Sequence, residues 1–306
     1  MRIVFMGTPD FAVASLKALL DAGENVVAVI TAPDKPAGRG QKLNKSAVKV
    51  FAEANALPVL QPEKLRDPQF IEELKSYNAD LQVVVAFRML PEMVWNMPPM
   101  GTINVHASLL PQYRGAAPIN HAVINGEKQS GVTTFLLQHE IDTGNILLAT
   151  KVDIAETDNA GILHDKLMNA GAETLIKTIE GLRNNTIKPI PQEDFNVEQL
   201  KHAPKIFKED CLIDWNNSTE KIYNLIRGLS PYPTAFTYLH GKVLKVYEAE
   251  KEIQSHQKES GTYETDCKTY LKFATNDGFI NLKMIQIEGK KRMEINEFLK
   301  GYRFEK

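Results

Sequence analysis

Three polar side chains, Asn104, His106 and Ser108, alternate with single apolar residues in one short segment. Successive side chains of a β-strand point to opposite faces, so a strand here would place an amide, an imidazole and a hydroxyl in one row. A buried polar group costs about 1 to 3 kcal/mol unless it has a partner. The row is therefore either a solvated strand face or part of a site.

The residues that follow favour a site. Pro111 stops the strand, Gly115 allows a tight turn, and the pattern predicts a helix over residues 116–126. The polar row would then lie where a strand ends and a helix begins, which is where open α/β sheets bind ligands.

Asp142 is the carboxylate that the pattern offers to this histidine, because it lies in a turn between two predicted strands. A carboxylate beside an imidazole orients the ring and favours its charged form, as proton transfer requires. The sequence shows no nucleophile elbow and no evident nucleophilic lysine. These residues therefore predict direct group transfer, in which Asn104 and His106 stabilise a tetrahedral intermediate without a covalent one.

A metal site is the rival interpretation of the histidines. It would draw on His106, His121, His139 and His164, but their spacings match no ligand motif. We therefore expect no metal.

The composition of the whole chain is that of a soluble globular protein. It has 306 residues, of which 43% are hydrophobic and 24% charged, and a net charge of -2. That charge argues against wholesale electrostatic binding of nucleic acid but allows a local basic patch. We find no signal peptide, no membrane-spanning run and no evident obligate protein partner. Cys211 and Cys267 are far apart, as expected of reduced thiols in a cytoplasmic protein.

Two domains are predicted from the order of the elements. Strands alternate with helices over residues 1–190, which predicts an α/β domain with a Rossmann-like, mostly parallel sheet. The glycine fingerprint of a dinucleotide site is absent. Residues 191–206 have the composition of a linker, and short alternating strands over residues 207–306 predict a small β-barrel.

A long polar loop is predicted over residues 33–49, and its basic residues are Lys35, Arg39, Lys42, Lys45 and Lys49. Loops longer than about 12 residues are usually functional or disordered. The segment is therefore either a solvated, mobile loop or a contact for a polyanion.

Several motifs resemble those of the formyltransferase family that uses 10-formyltetrahydrofolate. They are Asn-Val-His-Ala-Ser-Leu-Leu-Pro at 104–111, Arg-Gly-Ala-Ala-Pro at 114–118 and Asp-Thr-Gly at 142–144. The similarity is greatest to the branch of that family that formylates initiator methionyl-tRNA. That closer similarity is carried by residues 7–11, 33–40, 203–205 and 213–215.

The resemblance implies transfer of the formyl group of 10-formyltetrahydrofolate to the amino group of methionyl initiator tRNA, for translation initiation. It implies a formyltransferase domain followed by an OB-like, tRNA-binding barrel. The catalytic positions that it implies are Asn104, His106 and Asp142. The folate-binding positions are Ser108, Leu109, Leu110, Pro111 and Phe87, the last in a loop one residue shorter than the family usually has. The tRNA-binding positions are Lys35, Arg39, Lys42, Lys45 and Lys205.

Three other functions compete with this one. A hydrolase could release formate from the same folate, and a related transferase could formylate a small amine. The predicted barrel and basic loop count against both of these, because neither reaction needs them. A catalytically idle RNA-binding protein is disfavoured by the asparagine, histidine and aspartate.

Overall fold

The computed structural model describes residues 1–37, 42–195 and 199–304. These residues divide into two compact units, and each unit is discontinuous in sequence. The first consists of Met1–Gly115, Ser130–Val152 and His164–His202, and the second of Ala116–Gln129, Asp153–Leu163 and Ala203–Lys306. The units therefore differ from the two continuous predicted domains, because two short segments before residue 190 belong to the second unit.

The described residues of the first part of the chain form ten strands. They are β1 (Arg2–Gly7), β2 (Asn25–Ile30), β3 (Lys35–Ala37), β4 (Lys42–Asn44), β5 (Val59–Leu60), β6 (Leu81–Val85), β7 (Thr102–His106), β8 (Arg114–Gly115), β9 (Gln129–Leu136) and β10 (Ile146–Asp153). Seven of them form one sheet in the order β10-β9-β7-β6-β1-β2-β5. The pairs from β7 through β5 are parallel, and β9 runs antiparallel to β7. The predicted mostly parallel sheet is thus confirmed.

In the same described part of the chain, six α-helices accompany these strands. They are α1 (Asp10–Asp21), α2 (Ala47–Ala54), α3 (Pro68–Ser76), α4 (Glu92–Trp95), α5 (Pro118–Ile124) and α6 (Ala160–Arg183), followed by a 3-10 helix at Gln192–Asp194. Local sequence explains where α3 begins: Asp67 accepts a hydrogen bond from the N–H of Gln69 at 2.8 Å, and Pro68 occupies the first turn. The central strand β6 is buried at all five residues, as a strand covered on both faces must be.

The second unit is built on an antiparallel sheet. The elements after residue 200 are β11 (His202–Ala203), whose first residue belongs to the first unit, a 3-10 helix (Glu209–Cys211), α7 (Thr219–Leu229), β12 (Ala235–Leu239), β13 (Lys242–Ile253), β14 (Tyr263–Thr265), β15 (Leu271–Ala274), β16 (Gly278–Ile287), β17 (Met293–Glu294) and α8 (Ile295–Gly301). The strand order is β12-β13-β16-β15-β14, and β17 also pairs with β16. Trp215 stacks on Phe273 in its core with ring centroids 4.6 Å apart. The expected small barrel-type domain is confirmed.

The prediction of an irregular loop over residues 33–49 was wrong for the described part of that range, and residues 38–41 lie outside the described residues. β3 and β4 pair there as an antiparallel hairpin, and α2 begins at Ala47. Pairing satisfies backbone N–H and C=O groups that an irregular loop would leave to solvent. A second difference concerns the polar row, because β7 ends at His106 and Ser108 lies beyond the strand.

No helix in the described ranges is long and apolar enough to cross a membrane.

Candidate active site

Strand β7 presents Asn104 and His106 on one face of the sheet. It lies between β6 and β9, with Asn104 opposite Phe135 and His106 opposite Thr133 on β9. Asn104 is half-buried, and its side-chain amide makes no hydrogen bond to the described residues. His106 is only 7% exposed. The site therefore combines a fixed imidazole with an amide that is available to a ligand.

The two ring nitrogens of His106 face two acceptors. Nε2 lies 3.0 Å from the carbonyl oxygen of Tyr113, which can only accept, so Nε2 carries a hydrogen. Nδ1 lies 3.9 Å from Oδ2 of Asp142, which is too long for a direct hydrogen bond but leaves the ring facing the carboxylate. A protonated ring thus has its Nδ1–H held near the carboxylate and free to donate to a substrate.

Asp142 is held in place by Gly115 and by its own loop. Its Oδ2 accepts the backbone N–H of Gly115 at 2.9 Å, and its backbone has a φ of 55°, which is uncommon outside glycine. Two residues on, Gly144 packs against β9 so closely that a Cβ would lie 1.7 Å from the carbonyl oxygen of Leu136. Only glycine fits there, so the loop has little freedom to move.

The predicted folate-binding segment is largely buried. Ser108 is fully buried and donates its hydroxyl hydrogen to the carbonyl of Gln112 at 2.7 Å, so its side chain is already engaged. Leu110 and Pro111 are also buried, and Leu109 is the partly exposed member of the segment. Phe87 is partly exposed and follows β6, whose carboxyl end lies at the same sheet edge as that of β7.

The predicted tRNA-binding residues fall in different places. Lys35 and Lys45 are exposed on or beside the hairpin, and Lys45 pairs with Glu53 at 2.7 Å, which raises the pKa of Lys45. Arg39 lies outside the described residues, and Lys42 belongs to β4. Lys205 is in the second unit, with its ammonium 5.4 Å from the ring centroid of Phe207.

Two residues that the sequence did not single out complete the geometry. The hydroxyl of Thr133, which is fully buried, donates to the carbonyl of Ser108 at 2.7 Å and accepts the N–H of Leu110 at 3.1 Å. Gln192, which is 4% exposed, bonds the backbone of the Asp142 loop. Gln192 was predicted to lie in a linker, and no signal in the neighbouring sequence marks it.

The described residues contain no group of three or more His, Cys, Asp or Glu side chains that could hold a metal ion.

Two family models match the chain. The model described as formyl transferase matches residues 1–179, and the model of the formyl transferase C-terminal domain matches residues 205–303.

Curated relatives match over nearly the full length. A methionyl-tRNA formyltransferase of Bacteroides thetaiotaomicron is 55% identical over 99% of this chain and 96% of its own length. The protein of the same name from Phocaeicola vulgatus is 58% identical, with the same coverage of both chains.

Solved structures share the fold at lower identity. WlaRD, a sugar 3N-formyl transferase, has a TM-score of 0.68 and 22% identity over 95% of this chain and 99% of its own. HypX from Aquifex aeolicus, solved with tetrahydrofolic acid, has a TM-score of 0.65 and 20% identity over 98% of this chain and 48% of its own. From the two matching models and the curated relatives, the chain belongs to the formyl transferase family.

Proposed function

We propose that this protein transfers the formyl group of 10-formyltetrahydrofolate to the amino group of methionyl initiator tRNA. The observation that carries the reaction type is the grouping of Asn104, His106 and Asp142, in which one amide is uncommitted and one imidazole faces a carboxylate at 3.9 Å. The acceptor is proposed from relatives named methionyl-tRNA formyltransferase that are 46% to 58% identical to the chain.

Asn104 and His106 act on the charge that develops during attack. When the amine nitrogen bonds to the formyl carbon, the carbonyl electron pair moves to oxygen. The Asn104 amide and the Nδ1–H of protonated His106 donate hydrogen bonds to that oxygen. The Nε2–H bond to the Tyr113 carbonyl keeps the ring in the required orientation.

Asp142 acts as the base for the proton that the attacking amine must lose. Its carboxylate accepts that proton directly or through one water, while its charge stabilises the imidazolium of His106. The bond between the formyl carbon and N10 of the folate then breaks, N10 takes a proton, and tetrahydrofolate leaves. The formyl group remains on the methionyl nitrogen, so atoms and charge balance.

The folate is proposed to lie along residues 108–111 and Phe87. Because Ser108 and Leu110 are buried, the contacts offered by this segment are backbone groups and the partly exposed Leu109. Residues of this kind fit a flat, largely apolar ring with a few polar edges.

The tRNA is proposed to contact Lys35, Arg39, Lys42, Lys45 and Lys205, together with the C-terminal barrel. Lysine and arginine bind phosphates through charge. Lys45 is already paired with Glu53, so we rank it below Lys35 among these contacts. A role in translation initiation also makes the cytoplasm the proposed location.

A product assay tests the function. The protein is mixed with 10-formyltetrahydrofolate and methionyl initiator tRNA, methionyl elongator tRNA, a small amino sugar, or water alone, and formylated products and formate are followed by mass spectrometry. Formyl-methionine on initiator tRNA, in clear excess over the other products, is expected. Formate release alone would indicate the hydrolase, and formylation of the amino sugar alone would indicate a small-amine transferase.

A further inference from the structure

The side-chain amide of Gln192 is fully used inside the first unit. Its Nε2 donates to the carbonyl oxygens of Asp142 and Gly144 at 2.9 and 2.8 Å, and its Oε1 accepts from Nε of Arg114 at 2.9 Å and from its Nη2 at 2.5 Å. A glutamine amide has two donor hydrogens and two acceptor lone pairs, so all four are satisfied. Such a complete set in a residue that is 4% exposed fixes both partners.

These bonds act on the loop that carries the carboxylate. The backbone of Asp142 has a φ of 55°, a conformation that surrounding structure must hold in place. Gln192 donates hydrogen bonds to two backbone carbonyl groups of this loop, and the N–H of Gly115 donates one to the carboxylate at 2.9 Å. Arg114, next to Gly115, is bonded to the other end of the Gln192 amide, so the three segments form a closed ring.

Gln192 is itself carried by a fixed element. It begins a 3-10 helix, and just before it Ile190 exchanges backbone hydrogen bonds of 2.8 Å with Ile146 at the start of β10. The anchor is therefore tied to the central sheet of the unit.

We infer that Gln192 is a positioning residue that sets the carboxylate of Asp142 against His106 in the transfer reaction. This inference rests on the proposed function. A misplacement of about 1 Å at a reacting group can cost on the order of 100-fold in rate, so loss of the Gln192 amide should reduce turnover without changing what the substrates touch.

Gln192→Glu is the sharpest test. The carboxylate keeps an acceptor for Arg114, yet it loses both donors and sets oxygen against the carbonyls of Asp142 and Gly144. Gln192→Met, of similar length, removes all four bonds without adding charge. Gln138→Ala is the matched control, because Gln138 bonds the hydroxyl of Thr143 at 2.7 Å in the same loop but is exposed.

We expect kcat to fall about 10- to 100-fold in Gln192→Glu, with KM for both substrates within about twofold of the wild-type value. Gln138→Ala should stay within about twofold in kcat. The ¹⁵N signal of the His106 imidazole, assigned by its loss in His106→Asn, should shift in Gln192→Glu and Gln192→Met but not in the control.

An unchanged kcat together with an unchanged His106 signal would overturn the inference. Failure of both Gln192 variants to fold would also overturn it, because Gln192 would then serve stability alone. If the wild-type protein formylates no methionyl-tRNA, the proposed function fails, while the shift of the His106 signal still decides whether Gln192 positions Asp142.

Discussion

Nδ1 of His106 and Oδ2 of Asp142 lie 3.9 Å apart although the two residues are distant in sequence. The strand β7 supplies the first and a loop after β9 supplies the second, and each is fixed by a bond to residues 113–115. That one short segment therefore helps to set the geometry of both groups.

Removal of the uncommitted amide should affect catalysis far more than stability. Asn104→Ala should lower kcat by about 100- to 1000-fold, as expected for loss of one oxyanion donor. Its amide has no hydrogen bond to the described residues, so the thermal unfolding temperature should change little. Steady-state kinetics and a melting curve measure the two effects. Asn55→Ala, on the C-cap of α2, serves as the control and should keep wild-type turnover.

The buried hydroxyl of Thr133 should be needed for folate binding. Thr133→Val keeps the side-chain shape but leaves the Ser108 carbonyl and the Leu110 N–H without their partner. A buried unsatisfied group costs about 1 to 3 kcal/mol. If about 1 to 2 kcal/mol of this cost weakens the folate complex, the Kd of the folate rises by about 5- to 30-fold.

Its neighbour on β9 provides the control for that measurement. Thr134 is also fully buried, and its hydroxyl bonds that of Thr178 at 2.7 Å. Thr134→Val should lose comparable stability while binding folate normally in a calorimetric titration. Equal losses of folate affinity in both variants would mean that the Thr133 hydroxyl has no specific role in folate binding.

The regular elements were largely predictable because their patterns are local. The buried run of β6 and the helical spacing of α6 need only neighbouring residues to be recognised. The hairpin β3–β4 was missed because its strands are three residues long and lie among prolines, glycines and charges. Strands so short carry too few positions to show alternation.

The residues of the candidate site could be named from the sequence, but the residues that hold them in place could not. The asparagine, histidine and aspartate have distinctive residue types, and a family resemblance pointed to them. Gln192 and Thr133 have ordinary types, and their importance lies in bonds to residues far away in sequence. No local pattern encodes such partners, and a glutamine in a polar stretch looks like linker.

The base of the hairpin should respond to acid through Asp34. The Nζ of Lys49 lies 2.6 Å from Oδ2 of Asp34. The hydrogen bond from Lys49, and then that from Gln61, lower the pKa of the Asp34 carboxyl below its ordinary value of 3.8. A carboxyl whose pKa is lower in the folded state stabilises that state at pH values above the pKa that the carboxyl has in the unfolded chain. The contribution is lost as the pH falls through the lower, folded value.

Asp34→Asn should therefore increase hydrogen exchange of the β3 and β4 amides at pH 7. The difference from wild type should shrink as the pH falls below about 4. Exchange measured by mass spectrometry at matched pH gives the comparison. Asp21→Asn, which removes an exposed pair with Lys17 on α1, should leave the hairpin unchanged. A difference between Asp34→Asn and wild type that persists undiminished at low pH would contradict the assignment.

The basic residues between positions 35 and 42 should contribute to the salt dependence of tRNA binding. Each phosphate contact releases counterions, so log Kobs falls with log salt by somewhat under one unit per contact. Changing Lys35, Arg39 and Lys42 together to glutamine should reduce that slope by about 2 to 3 units if all three contact phosphate.

Lys45→Gln alone should change the slope less, because Lys45 already pairs with Glu53 at 2.7 Å. Lys17→Gln on α1, which removes one positive charge as Lys45→Gln does, is the control and should leave the slope at its wild-type value. Folate affinity should stay at its wild-type value in every variant. If the triple variant kept the wild-type slope, the hairpin would be a solvated surface element, and the basic contacts of the tRNA would have to be sought elsewhere.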